Sequence, residues 1–446
     1  MKINLRFRHV LPILGVMATD RAFNEFVVPN GEDPSLVLYS YAITGFSLLL
    51  IATCFRYLSP VMRRWLLVTL AATAVLALES YNGWGTPMVY PHVFAKLLAL
   101  LPIFAMYAYY RRHPLPAGLL MVLLLAGLVI NLAFFHPDAL SLSAFLENER
   151  GFDVTSAFLL LLPALYYFNQ YLSRGGLPQL AVFFVLLALI VFLQHRTVWL
   201  TTALALVLNV LLVLTGRVEG VRLSTTRLMP VLLMPLLMGL LGGAALVLDN
   251  PKVLRKLESS VEDIENVDKQ GTGSWRLQQF ESYQSYVEEH PLAGMRLEGF
   301  ELPVQFYGDG DHPVWADRTG HHFHSFYLDR LFYFGILGLL LVLVVPIWQL
   351  WKRLRQRVPF DPTTAAFVSY AGCALLYGVS YDWPPYLYGV IGLTLAIAGP
   401  VSVAAFGPGT PAASAPLPVG PPTADGAPVR LPYPGLQAPA AHAVHS

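Results

Sequence analysis

The sequence predicts an all-α, polytopic membrane protein of about 12 transmembrane helices with one large, partly helical loop on the outer side. Three observations lead there. Of the 446 residues, 55% are hydrophobic and only 13% charged, whereas an average soluble domain carries about 25% charge to face water. Apolar runs of about 20 residues, the length that crosses a hydrocarbon core, recur along the chain. Basic residues are dense in every second connection between those runs.

The runs lie at 9–28, 36–55, 62–79, 93–110, 114–135, 153–172, 178–194, 197–215, 228–248, 328–350, 363–381 and 384–405. Lys2, Arg6 and Arg8 precede the first run and no small-residue cleavage site follows, so it reads as a retained helix, although Asp20, Arg21 and Glu25 interrupt it. The stretch Leu177–Leu214 would be about 57 Å long as one helix, roughly twice the hydrocarbon thickness. Its charged interruption, Gln194-His195-Arg196-Thr197, makes it a tight helical hairpin with Arg196 at the tip. Cys54 and Cys373 sit in separate apolar runs and read as small buried hydrophobes.

With the N-terminus inside, the inner connections carry Lys2/Arg6/Arg8, Arg56/Arg63/Arg64, Arg111/Arg112, Arg174, Arg217/Arg222/Arg227 and Lys352/Arg353/Arg355/Arg357. The short outer loops hold only Arg150 and Arg196, the asymmetry that the positive-inside rule describes. The chain divides into spans 1–9 over residues 1–248, an outer loop domain over 249–323, spans 10–12 over 324–405, and a Pro/Ala/Gly-rich disordered cytoplasmic tail over 406–446. Within the loop, Pro251–Asp268 reads as a charged helix that Gly271-Thr272-Gly273 breaks. Ser274 then caps an amphipathic helix, Trp275–Glu289, with Trp275, Phe280, Tyr283 and Val287 at helical spacing. A net charge of +1 gives no electrostatic basis for nucleic-acid binding.

Three places carry residues suited to chemistry. Arg196 opposes the topology bias; it either snorkels to headgroups or clamps an anion, because guanidinium stays charged and binds phosphate oxygens in pairs. Arg276 falls in the first turn of its predicted helix, where free amides favour an anion; a solvated face paired to Glu281 is the plainer alternative. His321-His322-Phe323-His324 stands at a membrane boundary. No Cys or carboxylate at ligand spacing accompanies it, so a metal site is not expected. A boundary histidine is either structural or a general base for a hydroxyl. Secondary candidates are Arg296, Arg318 and His322, the intramembrane Lys96 with His92 one turn earlier, and Asp382 in the final outer hairpin; for these, pairing, snorkelling or solvation is the plainer account.

Several of these residues fall into a known pattern. Trp275-Arg276, then Glu289-His290-Pro291-Leu292-Ala293-Gly294, then His324-Ser325 with nine residues before Gly335-Ile336-Leu337-Gly338, resembles the O-antigen ligase and polymerase family of bacterial membrane glycosyltransferases. Arg196-Thr197-Val198-Trp199-Leu200 is similar to that family's Arg-x-x-x-Leu element. The motifs cover roughly 180–345, and the predicted topology resembles the family throughout. Ser325 stands where the family has Asn or Ser, Leu339-Leu340 replaces a Thr-Gly ending, and Met295-Arg296 follows where a second glycine is common. The Gly335-x-x-Gly338 pair predicts a helix packed closely on a neighbour, which would fix where its first turn and His324 sit.

The resemblance implies a multi-pass protein of the bacterial inner membrane with its active site facing the periplasm. It implies that Arg196 and Arg276 hold the pyrophosphate of an undecaprenyl-pyrophosphate-linked glycan donor. His324 would take the proton from an acceptor hydroxyl, on lipid A–core or on another glycan, in inverting transfer without metal or other cofactor. Ligase and polymerase share this logic, so both stay open, as does transfer to a protein serine. A transporter of lipid-linked sugars is the alternative from another class; paired charges at mid-membrane would favour it, whereas the notable charges here gather at the outer face. A reporter that works only outside the cytoplasm, fused after Phe406, should be inactive, because an even number of spans returns the chain inside; activity there would overturn the topology.

Overall fold

The computed structural model describes residues 7–28, 33, 35–147, 151–221, 224–238, 272–303 and 323–399. Among them run eighteen α-helices: α1 (Leu11–Met17), α2 (Arg21–Asn24), α3 (Ser35–Cys54), α4 (Pro60–Trp84), α5 (Pro91–Leu98), α6 (Leu101–Tyr110), α7 (Ala117–Phe135), α8 (Leu142–Glu147), α9 (Val154–Leu159), α10 (Leu161–Arg174), α11 (Leu177–Phe192), α12 (Arg196–Leu214), α13 (Thr225–Met238), α14 (Thr272–Glu289), α15 (Glu298–Glu301), α16 (Phe326–Arg355), α17 (Pro362–Ser380) and α18 (Pro385–Ala398). The predicted helix 251–268, residues 239–248 of the ninth run and the tail 406–446 lie outside the described residues.

Among the described residues, seven helical stretches are long and apolar enough to cross a membrane: Ser35–Tyr57, Pro60–Trp84, Pro91–Tyr110, Ala117–Phe135, Arg196–Leu214, Phe326–Arg355 and Pro362–Ser380. Leu177–Phe192 and Pro385–Ala398 are apolar but shorter. The expectation of twelve full-length spans is therefore met only as a many-helix membrane fold. The first run is not one straight helix: Asp20, buried, caps α2 through the Ala22 amide and ends the helix begun at Leu11. The run 153–172 divides at Leu160 into α9 and α10. The 177–214 stretch does fold back, with α11 and α12 joined through Leu193–His195 and Trp199 Nε1 donating to the Ile190 carbonyl at 3.1 Å.

Two layers of burial follow from the sequence. Helices α6, α17 and α18 are buried along most of their length, with Gly392 on α18 so close to the Ile103 carbonyl that an added Cβ would sit 2.2 Å from it. Around them, α3, α4, α7, α12 and α16 turn large apolar side chains outward, such as Leu38, Leu67, Phe134, Leu214 and Leu337. In water such a surface would aggregate; against lipid chains it is at home. Inside, Asn169 and Asn209 exchange amide hydrogen bonds of 2.9 and 2.7 Å between α10 and α12. Each thereby satisfies the other where water is absent. Cys54 and Cys373 are buried free thiols.

The two ends of the bundle differ in charge. Arg353 donates to the Ala398 and Val358 carbonyls at 2.6 Å, and the Arg217 carbonyl accepts from the Phe360 amide, so the ends of α12, α16 and α18 and the start of α17 share one basic end. The starts of α12, α16 and α18 and the end of α17 therefore meet at the other end.

A second, smaller core lies at that other end, where Tyr283, Met295, Leu297, Phe323, Phe332 and Tyr333 pack against Leu76, Val93 and Phe94. It is organised by a break in α16. Gly335 has φ +60°, a left-handed conformation in mid-helix, and a turn from the loop fills the gap. The Pro291 and Leu292 carbonyls accept from Ile336 and Leu337 (2.8 and 3.0 Å), while Met295 and Arg296 donate to the Phe332 and Tyr333 carbonyls (2.7 and 2.9 Å). The expected role of the Gly335-x-x-Gly338 pair, close packing of α16 on a neighbouring helix, is corrected here. Gly335 opens the helix to a loop, because a Cβ there would lie 2.5 Å from Leu292 backbone, and Gly294 (φ +63°) meets Tyr333 and Phe334 backbone at the same distance.

These contacts rank three substitutions. A left-handed alanine costs about 1–2 kcal/mol, which is all that Gly85→Ala should cost, since its φ is +70° and nothing lies within 4 Å of its Cβ. Gly294→Ala and Gly335→Ala should each lower the thermal unfolding midpoint of detergent-purified protein well beyond Gly85→Ala, because each adds a backbone clash. Equal shifts for all three would show that the turn is not docked in the break.

Candidate functional site

Helix α14 begins at Thr272, three residues before the predicted start, and runs through Gly273. Arg276 is consequently in the second turn, beyond the free amides of the helix N-terminus, so an anion there would meet the side chain without the help of those amides. The buried face of α14 also differs from the expected one: Gln279 and Tyr283 are buried, with Tyr286 and Val287 partly so, while Phe280 is exposed. Arg276, Gln279, Tyr283 and Tyr286 follow i, i+3, i+7, i+10 spacing, which places the arginine on the inward face.

Three elements converge on it. The Arg276 guanidinium lies over the Tyr381 ring, 4.9 Å from its centroid. The His324 ring stands 6.1 Å from the same ring, and the His324 amide donates to Gln279 Oε1 at 3.4 Å. Ser325 caps α16 by accepting from the Leu328 amide, and its hydroxyl donates to the Gly378 carbonyl at 3.3 Å. The Phe326 amide donates to the Tyr381 carbonyl at 3.3 Å, which holds the α17–α18 connection against the start of α16. The family-like Ser325 thus acts structurally, setting where α16 begins and hence where His324 sits.

The electrostatics are asymmetric. Arg276 Nε is buried and makes no hydrogen bond among the described residues. Burial, and then the nearby Arg276 charge, push the His324 imidazole down to about 4, so it is neutral at physiological pH. Arg276 can offer charge and directed N–H groups to an anion, and a neutral His324 can take up a proton.

Arg196 is the first residue of α12, half-buried and engaged in contacts of its own. His195, just before it, donates from Nε2 to the Phe152 carbonyl at 2.9 Å, and lines an open cleft of about 340 Å³ that Tyr381 also lines. Tyr381 therefore connects the Arg276–His324 pair to the hairpin that carries Arg196.

The secondary candidates are mostly paired. Arg296 binds Glu79 at 2.8 Å. Lys96 binds Asp329 and lies 4.7 Å from the Tyr333 ring centroid, and Arg330 binds Asp329 and stands 3.8 Å from Asp382. This buried network ties α5, α16 and the α17–α18 connection together just beside Tyr381. Arg318, His321 and His322 lie outside the described residues. Sequence reasoning did not find Tyr381 or Gln279; Gln279 is legible as the i+3 neighbour of Arg276, whereas nothing local distinguishes Tyr381.

These features define a helical multi-pass membrane protein with an arginine–histidine site at the end of the bundle away from its basic end. Residues 181–343 match the family model described as O-antigen ligase, and over that segment the chain is similar to that family. Arg196, Arg276, His324, Gly335 and Gly338 all fall within it. No curated protein matches the chain.

The charge effect on His324 is directly measurable. In an NMR titration its imidazole should protonate near pH 4, and Arg276→Gln should move that midpoint upward toward the ordinary 6.5, because the variant removes the repelling charge. An unmoved midpoint would separate the two side chains electrostatically.

Proposed function

We propose that the protein is an O-antigen ligase-like glycosyltransferase. It moves a glycan from an undecaprenyl-pyrophosphate carrier to a hydroxyl of an acceptor such as lipid A–core, at the periplasmic face of the bacterial inner membrane. The observation that carries the reading is the convergence of Arg276 and His324, both inside the family-matched segment, on one Tyr381 ring. The site's position opposite the basic end supports the periplasmic assignment.

The donor is already activated, since its leaving group is a pyrophosphate. Catalysis then needs charge stabilisation on departing oxygens and a base at the acceptor. Arg276, with a buried Nε left for a ligand, and Arg196 take the first role. His324 takes the second: kept neutral by burial and by Arg276, it accepts the hydroxyl proton as the oxygen attacks the anomeric carbon and the C–O bond to pyrophosphate breaks. Attack opposite the leaving group inverts the anomeric centre. No metal is required, because the arginines neutralise the leaving group.

His324→Ala should leave expression and donor binding near wild type and lower glycan transfer by about 10²–10⁴-fold, the usual contribution of a general base. Arg276→Lys keeps the charge but loses the fork, and should lose most activity, with Arg276→Ala losing more. The assay is transfer by purified protein in nanodiscs with chelator present. Wild-type activity abolished by chelator, or an active His324→Ala, would overturn the mechanism. In a deletion strain, full-length polymer should remain on its carrier; accumulation of single repeat units would assign chain extension instead.

A further inference from the structure

The cleft that shares Tyr381 with the Arg276–His324 pair has a chemistry of its own. Its walls include Arg21, Glu25, His136, Asp153 and His195, drawn from separate parts of the chain, with Phe152 beside them. Its volume, about 340 Å³, lies within the range of small-molecule sites. Glu25 accepts from Arg21 Nε (2.9 Å) and Asn131 Nδ2 (2.9 Å) and pairs with His136 Nε2 (2.8 Å), so Arg21 is already engaged. Asp153 caps α9 through the Thr155 amide at 2.8 Å. The walls are held in place: buried Asp20 accepts from Thr155 Oγ1 and Ser156 Oγ at 2.7 Å, which binds α2 to α9, and the Tyr386 hydroxyl donates to the Thr155 carbonyl at 2.9 Å.

Two carboxylates in one cleft repel a phosphate but accept hydrogen bonds from neighbouring hydroxyls, and aromatic walls suit the C–H faces of a sugar ring. Among the described residues no group of three His, Cys, Asp or Glu side chains could hold a metal ion. Apart from His195, the lining residues lie outside the family-matched segment 181–343, so this surface is supplied by parts of the chain that the match does not cover.

We propose that this cleft is the subsite for the sugar ring next to the reacting bond, with Glu25 and Asp153 receiving its hydroxyls and Tyr381 joining it to the Arg276–His324 pair. The proposal rests on the glycosyl-transfer reading above. That ring is either the first sugar of the donor or the terminal sugar of the acceptor, since both flank the bond that forms.

Equilibrium binding to full-length protein in nanodiscs separates these cases from each other and from the catalytic reading. Three probes suffice: undecaprenyl pyrophosphate without sugar, the same lipid bearing one sugar, and a free acceptor oligosaccharide. Asp153→Asn keeps the helix cap, and Val154→Trp fills the cleft from its rim. Each should weaken one sugar-bearing probe by about tenfold or more, the loss of a hydrogen bond to a charged group, and leave the sugarless lipid unchanged. A loss confined to the lipid-linked sugar assigns the donor ring; a loss confined to the oligosaccharide assigns the acceptor ring. Unchanged affinity for both sugar probes, or an equal loss for the sugarless lipid, overturns the subsite. If Val154→Trp does not fold, Asp153→Asn and His136→Gln carry the test. The binding readout does not depend on turnover, so a protein that binds sugar here yet transfers nothing would defeat the catalytic reading and leave the subsite standing.

Discussion

The site depends on the turn Pro291–Arg296 seated in the break of α16. A helix interrupted at Gly335 leaves amide and carbonyl groups without intrahelical partners, and at the edge of a membrane such groups are costly. Here four backbone hydrogen bonds to one turn satisfy them. The turn follows α14 directly and the broken helix begins directly after His324 and Ser325. Docking one into the other therefore fixes the helix that carries Arg276 against the helix whose start carries His324. Gly294 and Gly335 face each other across this joint, each with a left-handed φ and each with backbone where a Cβ would be. A conformational requirement and a packing requirement select the same residue type twice.

Around that joint, charge is arranged by depth. Lys96, Asp329, Arg330 and Asp382 are largely spent on one another and serve to brace the α17–α18 connection. A buried network of this kind adds little net stability, but breaking one member strands the others, so it specifies geometry. Tyr381, at the edge of that braced connection, stands between Arg276 and the carboxylate-bearing cleft. The guanidinium stacks on its face, which leaves the N–H edges available to a ligand. Burial, and with it the same charge, holds His324 neutral, so the two side chains act together: the group that attracts an anion also helps to keep the base unprotonated.

The sequence determined the class of the molecule. Apolar runs too frequent and too long for a soluble core, with basic residues in alternate connections, left a many-helix membrane protein as the physical solution. The order of Arg196, Arg276, His324 and the two glycine motifs pointed to the family. These signals are legible because they act locally: hydropathy is a property of each segment, and an arginine or a left-handed glycine imposes its requirement wherever it falls. Helix starts were less legible, as α14 shows, since Gly273 breaks a helix by propensity and tertiary docking outweighs about 1 kcal/mol of it.

Only the tertiary structure decided what the motifs do to one another. The two glycine motifs, some forty residues apart, read as separate parts of a family pattern, the second as a packing stripe; in three dimensions they are the two halves of one joint. Tyr381 and the wall formed by Glu25, His136 and Asp153 carry no local mark, because an aromatic residue in a short connection and a carboxylate in a broken first helix have many ordinary explanations. They become a site through long-range packing, which places residues from both ends of the chain around one cleft, and no periodicity in a sequence encodes that proximity.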